Sequence, residues 1–173
     1  GCSATTTTVE RRISADGLNW GAPTTVKLMQ PGQAIWHIAV HWIPARAEFW
    51  AIYNTYPLGT NCATNALYLA RSPDGINWTV YPSPIARAGL IDAFKDLVYR
   101  SSFMVDGRGT KVMLWISGAS YQLNVGYTWQ TANVAIAVSD LLAIATAPAV
   151  ALQNTPFRRD LPPPEPDVGP QDE

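Results

Sequence analysis

Charge is scarce in this chain, and cysteine and histidine are scarcer still. Only 14% of the 173 residues are Asp, Glu, Lys or Arg, and there are two Cys and two His. Cys2 and Cys62 are too few for a disulfide framework, and whether they pair stays open. Gly1-Cys2 echoes a lipoprotein cleavage site, yet no signal peptide precedes it, so two ordinary thiols or one bridge is the favoured reading. No apolar run approaches the ~20 residues needed to cross a bilayer, so no membrane span is expected. There is no basic stripe, and hence no electrostatic footprint for nucleic acid. A Gly-x-Ser-x-Gly elbow, a phosphate-binding loop and a Cys/His cluster are all missing, so neither a cofactor nor a metal is expected. His37 and His41 would share a strand face ~13 Å apart, too far for one zinc ion.

Against these absences stand an apolar fraction of 47%, seven Trp and seven Tyr. Such aromatic density points to β-rich packing or to aromatic ligand platforms. The formal net charge of -1 is unevenly spread, because Asp160, Glu165, Asp167, Asp172 and Glu173 crowd the end of the chain. The chain does not open with Met, which suggests a processed or partial form.

Internal repetition carries most of the information. Ser14-Ala-Asp-Gly-Leu-Asn-Trp20 recurs as Ser72-Pro-Asp-Gly-Ile-Asn-Trp78, with five of seven residues identical. A second repeat, offset by 63 positions, aligns Ile35–Val40 with Val98–Phe103 and, without a gap, Glu48–Tyr53 with Lys111–Ile116. Turn-forming Pro44-Ala-Arg46 and Gly107-Arg-Gly109 separate the two halves of each copy. A third strand type appears as Ala66–Ser72 and again as Asn133–Ser139. These segments are short, β-branched or aromatic, and bounded by Gly, Pro, Asn and Asp.

The order inner strand, turn, second strand, loop, third strand, Asp-Gly turn, outer strand describes an antiparallel four-stranded propeller blade. The fold class expected is therefore all-β, with an incomplete ring of blades in this chain. A partial propeller over 1–155 would hold an outer half-blade at 5–28, a blade at 33–81 and a second at 97–147. The outer part of the second blade is degenerate, since Ser139-Asp140 lacks the Gly and the Trp. Two and a half blades cannot close a ring, so the remaining blades are expected from an upstream part of the same polypeptide or from a partner subunit. Residues 90–97 suit a helical turn or two, and 141–151 a short helix or a last strand. An acidic, Pro-rich tail, 156–173, has little to bury and should be extended, disordered or laid on a partner.

The repeated turn resembles the Asp-box of sialidases and related propellers, Ser-x-Asp-x-Gly-x-x-Trp, although both copies are one residue shorter between Asp and Gly. It is closer to the Ser-x-Asp-Gly-x-Asn-Trp turns of glycosidase-like propellers, five-bladed ones included. The resemblance covers about residues 5–140 and specifies a fold rather than an activity. It implies structural roles for Ser14, Asp16, Gly17 and Trp20, and for Ser72, Asp74, Gly75 and Trp78. Asp accepts hydrogen bonds from its own turn, Gly supplies a positive φ, and Trp is expected to cover the hairpin.

In a propeller, ligand sits over the central channel where inner strands begin. The repeat places Trp36-His37 and Tyr99-Arg100 there, each an aromatic beside a polar or cationic group. A ring stacks on a sugar's apolar face while His or Arg bonds hydroxyls or a carboxylate. The competing reading packs Trp36 and Tyr99 between blades and pairs Arg100 with Asp96. Glycoside hydrolysis needs two carboxyl groups across the scissile bond. Only Asp92 and Asp96 have plausible channel access, so catalysis by this chain alone is not expected. Three functional readings follow: a carbohydrate-binding propeller piece of an extracellular or virion surface protein, part of a glycoside hydrolase with its other acids in missing blades, or a structural assembly module.

Overall fold

The computed structural model describes residues 6–60, 64–89 and 94–148. Cys2, Cys62, Asp92, the residues 90–93 of the anticipated helical turns and the tail 156–173 lie outside the described residues. Ten strands, one α-helix and one 3-10 turn (Pro44–Arg46) make up the regular structure of the described residues, all strand pairings of the sheets being antiparallel. The expected all-β class therefore holds. No closed ring is formed among the described residues.

The first sheet runs β3 (Gln33–Ile43), β4 (Glu48–Pro57), β5 (Ala66–Ser72), β6 (Thr79–Val80), with β7 (Ala86–Arg87) also on β5. This is the strand order expected for 33–81. Residues 50–56 of β4 are all buried, as a strand covered on both faces requires. Trp50 and Ile52 join a core with Leu67, Leu69, Phe103, Leu114 and Ile116. The alternate residues Ala51 and Tyr53 join a second core with Val26, Leu28 and Tyr68. The two-residue period of a strand thus divides β4 between two cores. A small hairpin, β1 (Glu10–Arg11) with β2 (Thr24–Thr25), stands before the sheet in the chain.

The second sheet is β8 (Leu97–Val105), β9 (Lys111–Gln122) and β10 (Gly126–Ala137), in the order β10-β9-β8. It packs on the first sheet through the first core. At its turn, Asp106 accepts the backbone N–H groups of Thr110 at 2.6 Å and Lys111 at 2.9 Å. The expected third strand, 133–139, ends two residues early, and no outer strand follows within the described residues. Instead α1 (Val138–Thr146) begins, with Asp140 in its first turn. Without a Gly to take a positive φ, the Leu/Ala-rich run after Ser139 follows its helical preference. Val138, Leu141 and Ala145, at i, i+3 and i+7, face the first core.

The two Asp turns are near copies. Asp16 Oδ1 accepts the Leu18 and Asn19 N–H groups at 2.8 Å each, and Asp74 Oδ1 accepts those of Ile76 and Asn77 at 2.8 Å each. Ser14 and Ser72 each donate to their Asp at 2.9 Å and accept from the turn glycine at 2.8 Å. Gly17 and Gly75 have φ of 75° and 72°, which only glycine adopts without strain. Hydrogen bonds from Asn19 and Asn77 hold both carboxyls well below the ordinary carboxylate range. The turns differ at the tryptophan. Trp78 is half-buried against the second core, whereas Trp20 is 59% exposed.

Candidate functional site

Both repeats carry one extra residue on the inner strand at the same place. In β3 the pairing passes from Ile35↔Thr55 to His37↔Asn54, leaving Trp36 extra. In β8 it passes from Val98↔Gly118 to Ser101↔Ile116, so that Tyr99 and Arg100 stand opposite Ser117 alone. A bulge turns its side chains away from the regular alternation and bends the strand. The two bulges bring the four residues singled out from the sequence together. Trp36 meets Tyr99 edge to face with ring centroids 4.8 Å apart. His37 stacks on Trp36 at 4.9 Å and meets Tyr99 at 4.6 Å. The Arg100 guanidinium carbon is 5.2 Å from the Tyr99 ring centroid.

The second bulge is anchored from the first sheet. Asn54 Nδ2 donates to the Val98 carbonyl at 2.9 Å, and Asn65 Oδ1 accepts the Val98 N–H at 3.0 Å. Both asparagines are buried. They satisfy the backbone groups that an inner strand presents on its unpaired edge, where a buried amide without a partner is costly. Gly118, opposite Val98, makes room: a Cβ there would overlap the Phe94 ring and the Leu97 carbonyl oxygen.

Tyr99 extends the aromatic row to Trp129 of β10, 5.2 Å away, and Trp129 neighbours Tyr127 at 6.3 Å. Tyr99, Arg100, Ser117, Trp129, Gln130 and Thr131 line an open depression of about 350 Å³. Trp36 and His37 stand behind Tyr99 and support it. Sequence reasoning missed Trp129, Ser117, Gln130 and Thr131. The alternation Tyr127-x-Trp129 was the available signal, since residues two apart on a strand share a face.

His37 is half-buried, and burial first, then the positive charge of Arg100, push its imidazole down to about 4. It is therefore neutral near pH 7. Its Nε2 is buried with no partner among the described residues, so His37 packs the site rather than presenting that nitrogen to a ligand. Arg100 is exposed. The Arg100–Asp96 pairing considered from the sequence does not occur; among the described residues both ion pairs go to Glu48, from Arg46 and Arg71. Asp96 Oδ2 instead accepts the Tyr121 N–H at 2.7 Å. His41 is exposed, with its ring edge-on to Phe103 at 4.8 Å. Among the described residues no three His, Cys, Asp or Glu side chains converge to hold a metal ion.

No family model matches the chain. Over 129 residues, 67% of the chain, it is 34% identical to an A type blood N-acetyl-alpha-D-galactosamine deacetylase of Flavonifractor plautii, of whose length the match spans 16%. A crystal structure of an N-acetylgalactosamine deacetylase from F. plautii, in complex with blood group B trisaccharide, superposes over 84% of this chain and 46% of that one. The TM-score is 0.72 at 24% identity. The chain thus has the fold of part of that structure.

Proposed function

We propose that this chain is about two and a half blades of a larger carbohydrate-active β-propeller, and that the face around Tyr99 and Trp129 binds glycan. The observation that carries the reading is the convergence of the repeat-equivalent Trp36 and Tyr99 with Trp129, beside a free-standing guanidinium and hydroxyl side chains. Rings of this kind stack on the apolar face of a pyranose, while Arg100, Gln130, Ser117 and Thr131 suit its hydroxyls. The propeller assignment is supported by the repeat and by the stacking of one sheet on the next. The remaining blades would come from elsewhere in the polypeptide or from a partner, and the whole would act at an extracellular or virion surface. Glycan-array binding by the chain, lost in the double variant Trp36→Ala/Arg100→Ala, is the expected result. Unchanged binding in that variant rejects the site.

A second reading concerns the whole protein, and the similarity to the deacetylase favours it. In this reading the bond cut is the N-acetyl amide of an amino sugar rather than a glycosidic bond. Asp16, Asp74 and Asp106 are committed to turns, Glu48 to two arginines, and Asp96 to a backbone amide. These five carboxylates are thus taken up by the fold, and in this reading the hydrolytic groups would stand in other blades. Acetate release from an N-acetylgalactosaminide by the full-length protein tests it. Release of sugar without acetate would favour the glycoside hydrolase alternative, and binding with neither product would leave a non-catalytic module.

A further inference from the structure

The depression carries a cation that no acidic side chain among the described residues opposes. Arg100 is exposed and joins neither ion pair of the described residues. Asp96, three residues before the bulge that carries Arg100, is turned to the Tyr121 amide. Among the described residues no acidic side chain lines the depression. Around Arg100 stand two aromatic rings, Tyr99 and Trp129, the Gln130 amide, and the hydroxyls of Ser117 and Thr131, whose oxygens are 3.5 Å apart. The guanidinium is held from behind by its own neighbour's ring, which leaves its fork of donors for a ligand. The lowered basicity of His37 has the same origin in part, the uncompensated charge of Arg100.

We infer that the sugar unit bound in this depression carries a carboxylate, with Arg100 as its partner and Tyr99 and Trp129 against its ring. The inference rests on the glycan-binding reading above and narrows it from any saccharide to an acidic one. A planar guanidinium matches a carboxylate through two parallel N–H donors, a geometry no neutral hydroxyl reproduces. An unpaired cation beside an apolar platform discriminates by charge as well as by shape. Uronic and sialic acids share this chemistry, and the probes separate them.

The test uses the 173-residue chain and follows tryptophan fluorescence during titration with trigalacturonate, sialyllactose, neutral galactotriose and lactose. The expected result is that one acid binds about tenfold or more tightly than its neutral counterpart, the usual gain from a charge-assisted pair. Which acid does so identifies the source of the carboxylate. Arg100→Gln should abolish the difference between acid and neutral sugar, the two affinities falling to one value, whereas Arg100→Lys should keep part of it. Raised salt should weaken the acid and spare the neutral sugar. Equal binding of acid and neutral sugar, or a preference that survives in folded Arg100→Gln, overturns the inference and leaves glycan binding standing. Failure of all four saccharides to bind overturns both.

Discussion

Trp36 and Tyr99, 63 positions apart and equivalent in the repeat, touch edge to face with ring centroids 4.8 Å apart. Each is carried by a bulge at the same point of its hairpin. Two copies of one device are therefore stacked, and the second stands over the first. The depression opens beside the second copy because Trp129 of β10 extends the row there.

The anchoring of Val98 by two buried asparagines should be felt in stability and in binding. Asn65→Ala leaves the Val98 N–H without its partner in a dry interior, at a cost of about 1–3 kcal/mol. Denaturant midpoints of the variant and parent chains measure this. Saccharide affinity should fall as well, because Tyr99 and Arg100 follow Val98 directly.

Gly118 admits no side chain. Gly118→Ala should destabilise the chain by about 1–3 kcal/mol or more, since the methyl meets a buried ring and a backbone oxygen rather than a flexible chain end. Reducing the ring in the double variant Phe94→Leu/Gly118→Ala should recover only part of the loss, because the Leu97 oxygen stays in place. Thermal unfolding of the three chains distinguishes the cases.

His37 should make stability depend on mildly acidic pH. Its pKa is depressed to about 4 in the folded chain from an ordinary value of 6.5. Between these values the unfolded chain takes up a proton that the folded chain refuses, so stability falls as pH drops through this window. Above 6.5 the contribution is fully present, and below 4 the loss is complete. His37→Phe should flatten the slope between pH 6.5 and 4 in equilibrium unfolding.

The two Asp turns should not respond alike to mutation. Asp74→Ala should lower the unfolding midpoint more than Asp16→Ala. The second turn is tied to the body, Arg11 donating to the Asp74 carbonyl at 2.8 Å and Trp78 packing on the second core. The first has an exposed Trp20. Both carboxyls have depressed pKa values, so their contributions are present above the unfolded value near ~3.9 and are lost only in stronger acid. Parallel denaturant titrations at pH 7 and pH 3 check both statements.

Local chemistry was legible without any structure. The Ser-x-Asp-Gly-x-Asn-Trp turns, the Asp106 hairpin and the strands of 33–81 all follow from hydrogen bonds and alternation within a few residues. So did the placement of Trp36, His37, Tyr99 and Arg100 at equivalent strand starts, because a repeat in sequence preserves register. What sequence could not rank was α1 against a last strand. The segment after Ser139 satisfies a helical period about as well as an extended one, and its contact with the core between the sheets decides the matter.

The sequence by itself determined the all-β class, the two kinds of repeat and the identity of the aromatic and cationic residues at the inner strands. Their meeting was decided by tertiary structure alone. Stacking of the sheets brings residues 63 positions apart into ring contact, and the long β10 swings Trp129 against Tyr99. The same packing encloses His37 and so removes its charge, while Asp96 is drawn to a backbone amide instead of Arg100. Charge states and partners of this kind depend on distance and burial, and neither is written in the order of residues.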